Sequence, residues 1–347
     1  MTTDYRQLVH TPAELGSKGR IEEIDDQIRQ LVHTPAELAY EFVEFAEEMV
    51  SHSGVPFGVP AIDAKMIPMR PGNLTGIIAL PGHGKTSIMA YMAREHAKRL
   101  VERGIKDEVV VYVTWEQSAE ELEAFFATAH GVSATDVAWG REDIEKIKRI
   151  AVKRASIPIW VIGHGIGRSD KKAPRMTPAA VLGAIESMKE DFGVKPSLLL
   201  FDYIQLIPVQ RYQDRVHAVT EVPFLVKELA LRVGAPAVAG VQAKFDVATR
   251  NNKLPGQHDT QWASSIAQTA DKLLSLWMPI KTELEGDIIE INDQSFTVTP
   301  NLLLIAMVKQ RFDRGNHVWG MYLDPALLKL AELETRENGG REWPTDF

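Results

Sequence analysis

Residues 74–87 read LTGIIALPGHGKTS, and the fold turns on them. Leu74–Leu80 is an apolar run short enough to be a buried strand. PGHGKTS follows directly, and a helical pattern starts at Lys85. Strand, glycine-rich turn and helix, in that order, make a phosphate-binding loop. Glycines let the backbone wrap closely, so its N–H groups and the helix N-terminus aim at phosphate oxygens. In such a loop Lys85 reaches the β- and γ-phosphates of ATP, and the Thr86 hydroxyl meets Mg²⁺. Pro81, Gly82, His83, Gly84 and Ser87 complete the candidate cradle. The general pattern has glycine where this chain has Ala79.

Outward from the loop, strand and helix patterns alternate. A helix is expected over 85–103, a strand over Val109–Thr114, a helix over 118–130 and a strand over Ile157–Ile162. Then come a helix from Thr177–Pro178 to about 192, a strand over Leu198–Phe201, a mostly helical stretch over 215–233 and a strand over Ala237–Val241. Leu273–Trp277, Ile288–Ile291 and Leu302–Val308 read as later strands. Short strands apolar on both faces and separated by helices imply a mostly parallel sheet, covered on both sides. The closely spaced later strands suggest antiparallel additions at one edge.

The first 50 residues differ from the rest. RQLVHTPAEL occurs at 6–15 and again at 29–38. In the second copy Thr34, Pro35 and Glu37 form a helix-start signature, and Leu38, Phe42, Phe45, Ala46 and Met49 follow at helical spacing. A helix over about 35–51 is expected, with an earlier short one on Ile21, Ile24, Ile28 and Leu31. Two such helices cannot build a core of their own. They must pack on the main body or on another subunit. The expected domains are a helical extension over 1–53, an α/β ATPase domain over 54–334 and a disordered tail over 335–347.

The 347 residues contain no cysteine, which excludes disulfides, thiolate metal sites and cysteine nucleophiles. No apolar run approaches the roughly 18 residues of a membrane span, and the N-terminus lacks a signal-peptide layout. A cytoplasmic protein with no membrane partner is expected. The net charge is −8. Nine acids against two arginines in residues 20–50 account for −7 of it, so the main body is nearly neutral. The acidic total therefore does not exclude an anionic ligand.

Three polar residues close the later strands. Asp202 ends LLLFD, at the edge where a parallel sheet presents its ligands, so it is a candidate Mg²⁺ holder beside Thr86. Without the phosphate loop it reads as a strand cap. Glu116, just past VVVYVT, is a candidate base for the hydrolytic water, or else a solvated residue at the next helix start. Gln242 closes Ala237–Val241 and is a candidate to sense the γ-phosphate, or else an unremarkable surface residue.

Residues from about 54 to 325 resemble the C-terminal ATPase domain of replicative hexameric DNA helicases of the DnaB type, a branch of the RecA-like ATPases. FGVPAIDAKMIPMRPGNL resembles that family's entry into the domain. IIALPGHGKTS matches its phosphate loop, including Ala79 and Pro81, and VVYVTWEQSAEEL its catalytic-glutamate segment. LLLFDYIQLI is similar to its metal-binding strand and KELALRVGAPAVAGVQ to the helix and strand that end in its sensor glutamine. The resemblance implies that Glu116 and Gln242 take those catalytic roles beside Lys85. IAMVKQR resembles the segment that places a lysine and an arginine, here Lys309 and Arg311, into a neighbouring subunit's ATP site. DTQWASSIAQTAD, residues 259–271, resembles the DNA-contacting motif and implies contacts from Gln261, Ser264 and Ser265. The loop KFDVATRNNKLPGQH, residues 244–258, adds Lys244, Arg250 and Lys253 against Asp246, a local charge of +2 that alone would read as a solvated surface. Lys171, Lys172 and Arg175 form a second basic loop, read as solvated.

The chain departs from the family in places. No counterpart of the large N-terminal collar is expected, and helix 35–51 stands at the place of the family's linker helix. Gln261, Trp262 and Ser264 replace the motif's Arg, Glu and Gly. Pro223 interrupts a helix that is usually continuous, and 280–300 reads as an enlarged hairpin. The resemblance implies a RecA-like Mg²⁺-dependent ATPase that assembles as a ring, expected to be a hexamer with shared ATP sites, or as a helical oligomer. It would move on single-stranded DNA as a minimal helicase, beside other replication or mobile-element proteins. The alternative is an ATP-gated DNA-binding scaffold or loader ATPase of the RecA superfamily without unwinding activity. A third reading, a recombinase-type or KaiC-like relative, fits Asp202–Leu206 and Lys309–Arg311 less well.

Overall fold

The structure, a computed structural model, describes residues 32–51, 54–165, 175–208, 215–260, 265–312, 315–335 and 341–342. The expected helix on Ile21–Leu31, the copy of the repeat at 6–15, and Lys171, Lys172, Gln261, Trp262 and Ser264 lie outside them. Chain contacts divide after Gly54. In the first unit, α1 (Pro35–Ser51) starts on a reciprocal cap. The Thr34 N–H donates to Glu37 Oε2 at 2.6 Å, and the Glu37 N–H donates to Thr34 Oγ1 at 3.3 Å. Leu38, Phe42 and Phe45 are exposed along it. Among the described residues no helix is long and apolar enough to cross a membrane.

The second unit begins with the short helix α2 (Pro60–Asp63) and continues β1 (Leu74–Ala79), α3 (Lys85–Glu102), β2 (Glu108–Thr114), α4 (Ala119–Ala127), α5 (Ala134–Ala138), α6 (Ile144–Arg154), β3 (Ile159–Ile162), α7 (Pro178–Phe192), β4 (Lys195–Asp202), α8 (Arg215–Val233), β5 (Ala237–Gln242), α9 (Ser265–Thr269) and β6 (Lys272–Trp277). A hairpin, β7 (Ile288–Ile291) and β8 (Gln294–Thr297), precedes β9 (Leu302–Gln310), β10 (His317–Asp324) and β11 (Lys329–Glu332). Nine strands form one sheet in the order β11-β10-β9-β6-β1-β5-β4-β2-β3. The six from β6 to β3 are parallel, and β9, β10 and β11 are antiparallel additions.

Side chains alternate across this sheet, as strand geometry requires. Ile77 and Ala79 of β1, Val110 and Tyr112 of β2 and Leu198 and Leu200 of β4 face the core shared with Ile88, Met89 and Met92 of α3. Leu74 and Ile78, Val109 and Val111, and Leu199 and Phe201 face the opposite core, with Val181 of α7 and Val222 and Val226 of α8. Burial of each large side chain contributes about 1.5–3 kcal/mol, so the central strands are the least yielding part of the molecule. That rigidity is what holds the residues at their C-terminal ends.

Several expectations need correction. Ile288–Ile291 is not in the main sheet; it pairs with β8 in a separate two-stranded hairpin. Helices α5 and α6, capped by Ser133 and Asp143, and strands β10 and β11 were not foreseen. α8 runs through Pro223, which removes the hydrogen bond that Val219's carbonyl would receive without ending the helix. In the expected disordered tail, Arg341–Glu342 pairs antiparallel with Glu334–Thr335.

Candidate nucleotide-binding site

The parallel strands end along one edge of the sheet. β10 runs the same way as β6, because both lie antiparallel to β9. Residues after β1, β2, β4, β5, β6 and β10 therefore converge there. The turn at 81–84 leaves β1 with Gly82 at φ +75° and Gly84 at φ +83°, a conformation that costs glycine little and other residues much. A Cβ on Gly84 would also come within 3.2 Å of Leu323 Cδ2. The turn opens α3, and Gly84, Lys85, Thr86 and Ser87 at its start line a cavity of about 520 Å³. Glu116, Tyr203 and Gln242 line one wall; Met278, Lys281, Leu323 and Pro325 line the other.

Asp202 is the best-defined group in the site. Thr86 Oγ1 donates to its Oδ2 at 2.7 Å, and the Tyr112 hydroxyl donates to the same oxygen at 2.9 Å. Burial, followed by the neighbouring Asp202 charge, holds the Tyr112 phenol well above its usual range, so it remains a donor. Asp202 Oδ1 is buried without a partner. A buried carboxylate oxygen normally has one, and a divalent cation supplies that need. The residues present therefore fit Mg²⁺ held by Thr86 and Asp202. Gly240 of β5 keeps the space: a Cβ there would lie 3.1 Å from Met89 Sδ, 3.2 Å from Lys85 Cδ and 3.3 Å from Asp202 Oδ1.

Lys85 is buried, with its ammonium 5.2 Å from the centre of the Tyr203 ring. Burial raises the Glu116 carboxyl above its ordinary value; the Asp202 charge adds to this and Lys85 opposes it. A carboxylate of raised basicity on the cavity wall is what proton abstraction from water requires. Gln242 stands on the same wall, and its carbonyl accepts from Gln205 Nε2 at 3.3 Å. His83 fastens the loop to the other wall, its Nδ1 accepting from the Met278 N–H at 3.1 Å. Burial lowers the His83 pKa to about 4, with smaller contributions from Lys281 and Lys85. Sequence reading missed Tyr112, Met278 and Lys281, whose side chains meet the loop only through strand order.

Lys309 and Arg311 are not in this cavity. The register pairs Gln310 with Lys272, at the start of β6, so both cations lie at the opposite end of the sheet from the phosphate loop. Lys309 Nζ donates to the carbonyls of Ala267 and Ala270, each at 2.7 Å, and so caps α9. Arg311 Nη1 lies 3.2 Å from Asp271 Oδ1. Asp271, the last residue of the 259–271 segment but not among its expected contacts, also accepts from the Leu74 N–H and from Lys227.

The candidate DNA-binding residues are mostly engaged. Lys244 Nζ donates to the His258 carbonyl at 2.9 Å. Arg250 pairs with Asp246 at 2.8 Å and with Asp259 at 2.7 Å. Lys253 pairs with Glu283 and lies 5.7 Å from the centre of the Trp277 ring. Folding thus brings Asp259 and Glu283 against a loop whose own sequence sums to +2. Ser265 is buried at the start of α9 rather than presented to solvent.

A family model described as the DnaB-like helicase C terminal domain matches residues 54–312. The chain belongs to this family. Curated relatives include the replicative DNA helicase DnaB of Rickettsia bellii, 22% identical over 233 residues, covering 65% of this chain and 45% of the relative. The replicative DNA helicase DnaC of Bacillus subtilis is 25% identical over 262 residues, covering 75% and 52%. The chain spans about half the length of these relatives. Among solved structures, one described as an ATPase domain aligns with a TM-score of 0.68 at 19% identity, covering 86% of this chain and 99% of that one. A DnaB-like replicative helicase, described with its interactions with primase, aligns at 0.66 and 18% identity, covering 93% and 70%. These likenesses bear out the RecA-like α/β fold of the DnaB-type domain.

Proposed function

We propose that this DnaB-like chain is an Mg²⁺-dependent ATPase that assembles as a ring, a hexamer, or a helical oligomer on single-stranded DNA and translocates as a minimal helicase. The arrangement of Lys85, Thr86, Asp202 and Glu116 around one cavity carries the reading. The loop amides and Lys85 bind the β- and γ-phosphates. Thr86 and Asp202 would hold Mg²⁺, which would offset phosphate charge. Glu116 orients a water and takes its proton as the water oxygen attacks the γ-phosphorus; the bond to the ADP oxygen breaks, releasing phosphate. Gln242 senses the γ-phosphate.

Lys309 and Arg311 would complete the site of a neighbouring subunit. Their position supports this: about six residues of strand at roughly 3.3 Å each separate them from their own phosphate loop. Helix α1 would act as the linker helix, docking on that neighbour through Leu38, Phe42 and Phe45. Lys244, Arg250, Lys253, Gln261 and Ser264 would meet DNA; Ser265, buried, would instead support that segment from below. The setting is the cytoplasm, with other replication or mobile-element proteins as further partners. DNA would have to displace the acids that already pair with Arg250 and Lys253. ATP hydrolysis measured with and without single-stranded DNA tests the proposal. Magnesium-dependent turnover that DNA accelerates, and that is absent in Lys85→Ala protein, is expected. Turnover undiminished in Lys85→Ala protein would refute the site.

A further inference from the structure

Two residues of the wall opposite Glu116 come from the segment between β6 and the β7–β8 hairpin, where the sequence carries no nucleotide motif. Pro279–Lys281 forms a single tight turn directly after Met278. Its shape is held by the Lys281 N–H donating to the Met278 carbonyl at 3.1 Å and the Thr282 N–H donating to the Pro279 carbonyl at 2.8 Å. Trp277 Nε1 also donates to Thr282 Oγ1 at 3.0 Å. Met278 is in turn bonded to His83 of the phosphate loop. The turn is therefore fixed at both ends, one of them the loop itself. Lys281 projects from it, exposed, and lines the cavity with Lys85.

Among the described residues Lys281 has no ion-pair partner. Glu283, two residues on, is taken by Lys253, and Asp287 accepts from the Leu284 N–H. Strand order sets the geometry. β1 has β5 on one side and β6 on the other. Asp202, Glu116 and Gln242 thus approach the loop from the β5 side and Lys281 from the β6 side. An unpaired ammonium there faces the phosphate chain from the flank without carboxylates. Its charge also reaches the loop, since it is the larger of the two cationic influences on His83.

We propose that Lys281 is a second phosphate-binding lysine, contacting the phosphate chain of the nucleotide from the β6 side of the loop, in the same subunit as Lys85. This rests on the nucleotide-site reading above. It requires no new step: Lys281 adds one charge-assisted contact to a polyanion.

Equilibrium binding of Mg-ADP and of a non-hydrolysable Mg-ATP analogue to the full chain tests it. Lys281→Gln leaves the turn intact, because the backbone, Trp277 and Thr282 hold it. This variant should bind both nucleotides about tenfold more weakly, a difference of about 1.4 kcal/mol, and Lys281→Arg should retain most of the affinity. Lys98→Gln, an exposed change on α3, controls for general charge and should bind as the wild type does. Unchanged affinity in Lys281→Gln, or an equal loss in Lys98→Gln, overturns the role of Lys281. Lys85→Ala separates the two readings. If it loses binding while Lys281→Gln does not, only Lys281 is misassigned; if it binds fully, the nucleotide site itself is wrong.

Discussion

Glu116 shows how little of a catalytic residue is its identity. Alone it is one acid at the start of a helix bearing Glu120 and Glu121. On the cavity wall, partly desolvated and near the Asp202 charge, its carboxyl becomes more basic. Glu116→Gln keeps the shape and removes the base, so turnover should fall by about 10²–10⁴ while nucleotide binding persists. Single-turnover hydrolysis and ADP binding, measured together, check this. His83 makes a different prediction. Its imidazole titrates near 4 in the folded protein and near 6.5 when unfolded, so between those values the unfolded chain binds more protons. Stability should therefore fall as pH drops from 6.5 to 4, by an amount on the order of 3 kcal/mol for a fully titrated group. Thermal melts across that window should flatten in His83→Gln, with a residual slope from His96, whose pKa burial also lowers to about 4.

At the level of elements, the site depends on a position of β5 that carries no side chain. Gly240 in β5 leaves room for Lys85 and Asp202 to sit side by side. Gly240→Ala should displace the Lys85 stem, because Met89 and the β5 backbone are packed in the core. Weaker nucleotide binding is expected, with the fold kept, read by calorimetric titration and circular dichroism. This residue also marks the limit of sequence reading. The loop, Asp202, Glu116 and the alternation of strand and helix are local patterns, so they were legible. Which strand neighbours β1 is not local. Tyr112, Met278, Lys281 and Asp271 enter only through the order β6-β1-β5-β4-β2. The same holds for charge: Lys253 looked unpaired until the chain brought Glu283 back against it. β10 and β11 were missed because β10 carries polar and glycine residues within a strand that is mostly buried.

For the whole molecule, the account joins subunits in two ways. Deleting residues 1–52 removes α1 and its apolar stripe, and should shift the mass seen by light scattering toward smaller species while the α/β unit still melts cooperatively. An unchanged mass would deny α1 a role between subunits. Arg311→Ala should bind nucleotide yet lose about 10³–10⁵ in rate, if the arginine stabilises the transferring phosphoryl group. Arg311→Lys should fare little better, for lysine lacks the planar fork. Mixing Arg311→Ala with Lys85→Ala protein pairs one intact loop with one intact arginine, so some hydrolysis should return. No recovery in oligomers shown to be mixed would argue against a shared site.

The claim that hydrolysis drives movement along DNA is tested most directly by strand displacement on a forked duplex with Mg-ATP, using Glu116→Gln protein as the blank. The account predicts separation of the strands by the wild type and none by the variant. ATP hydrolysis by the wild type with the duplex left intact would contradict it and favour the scaffold reading.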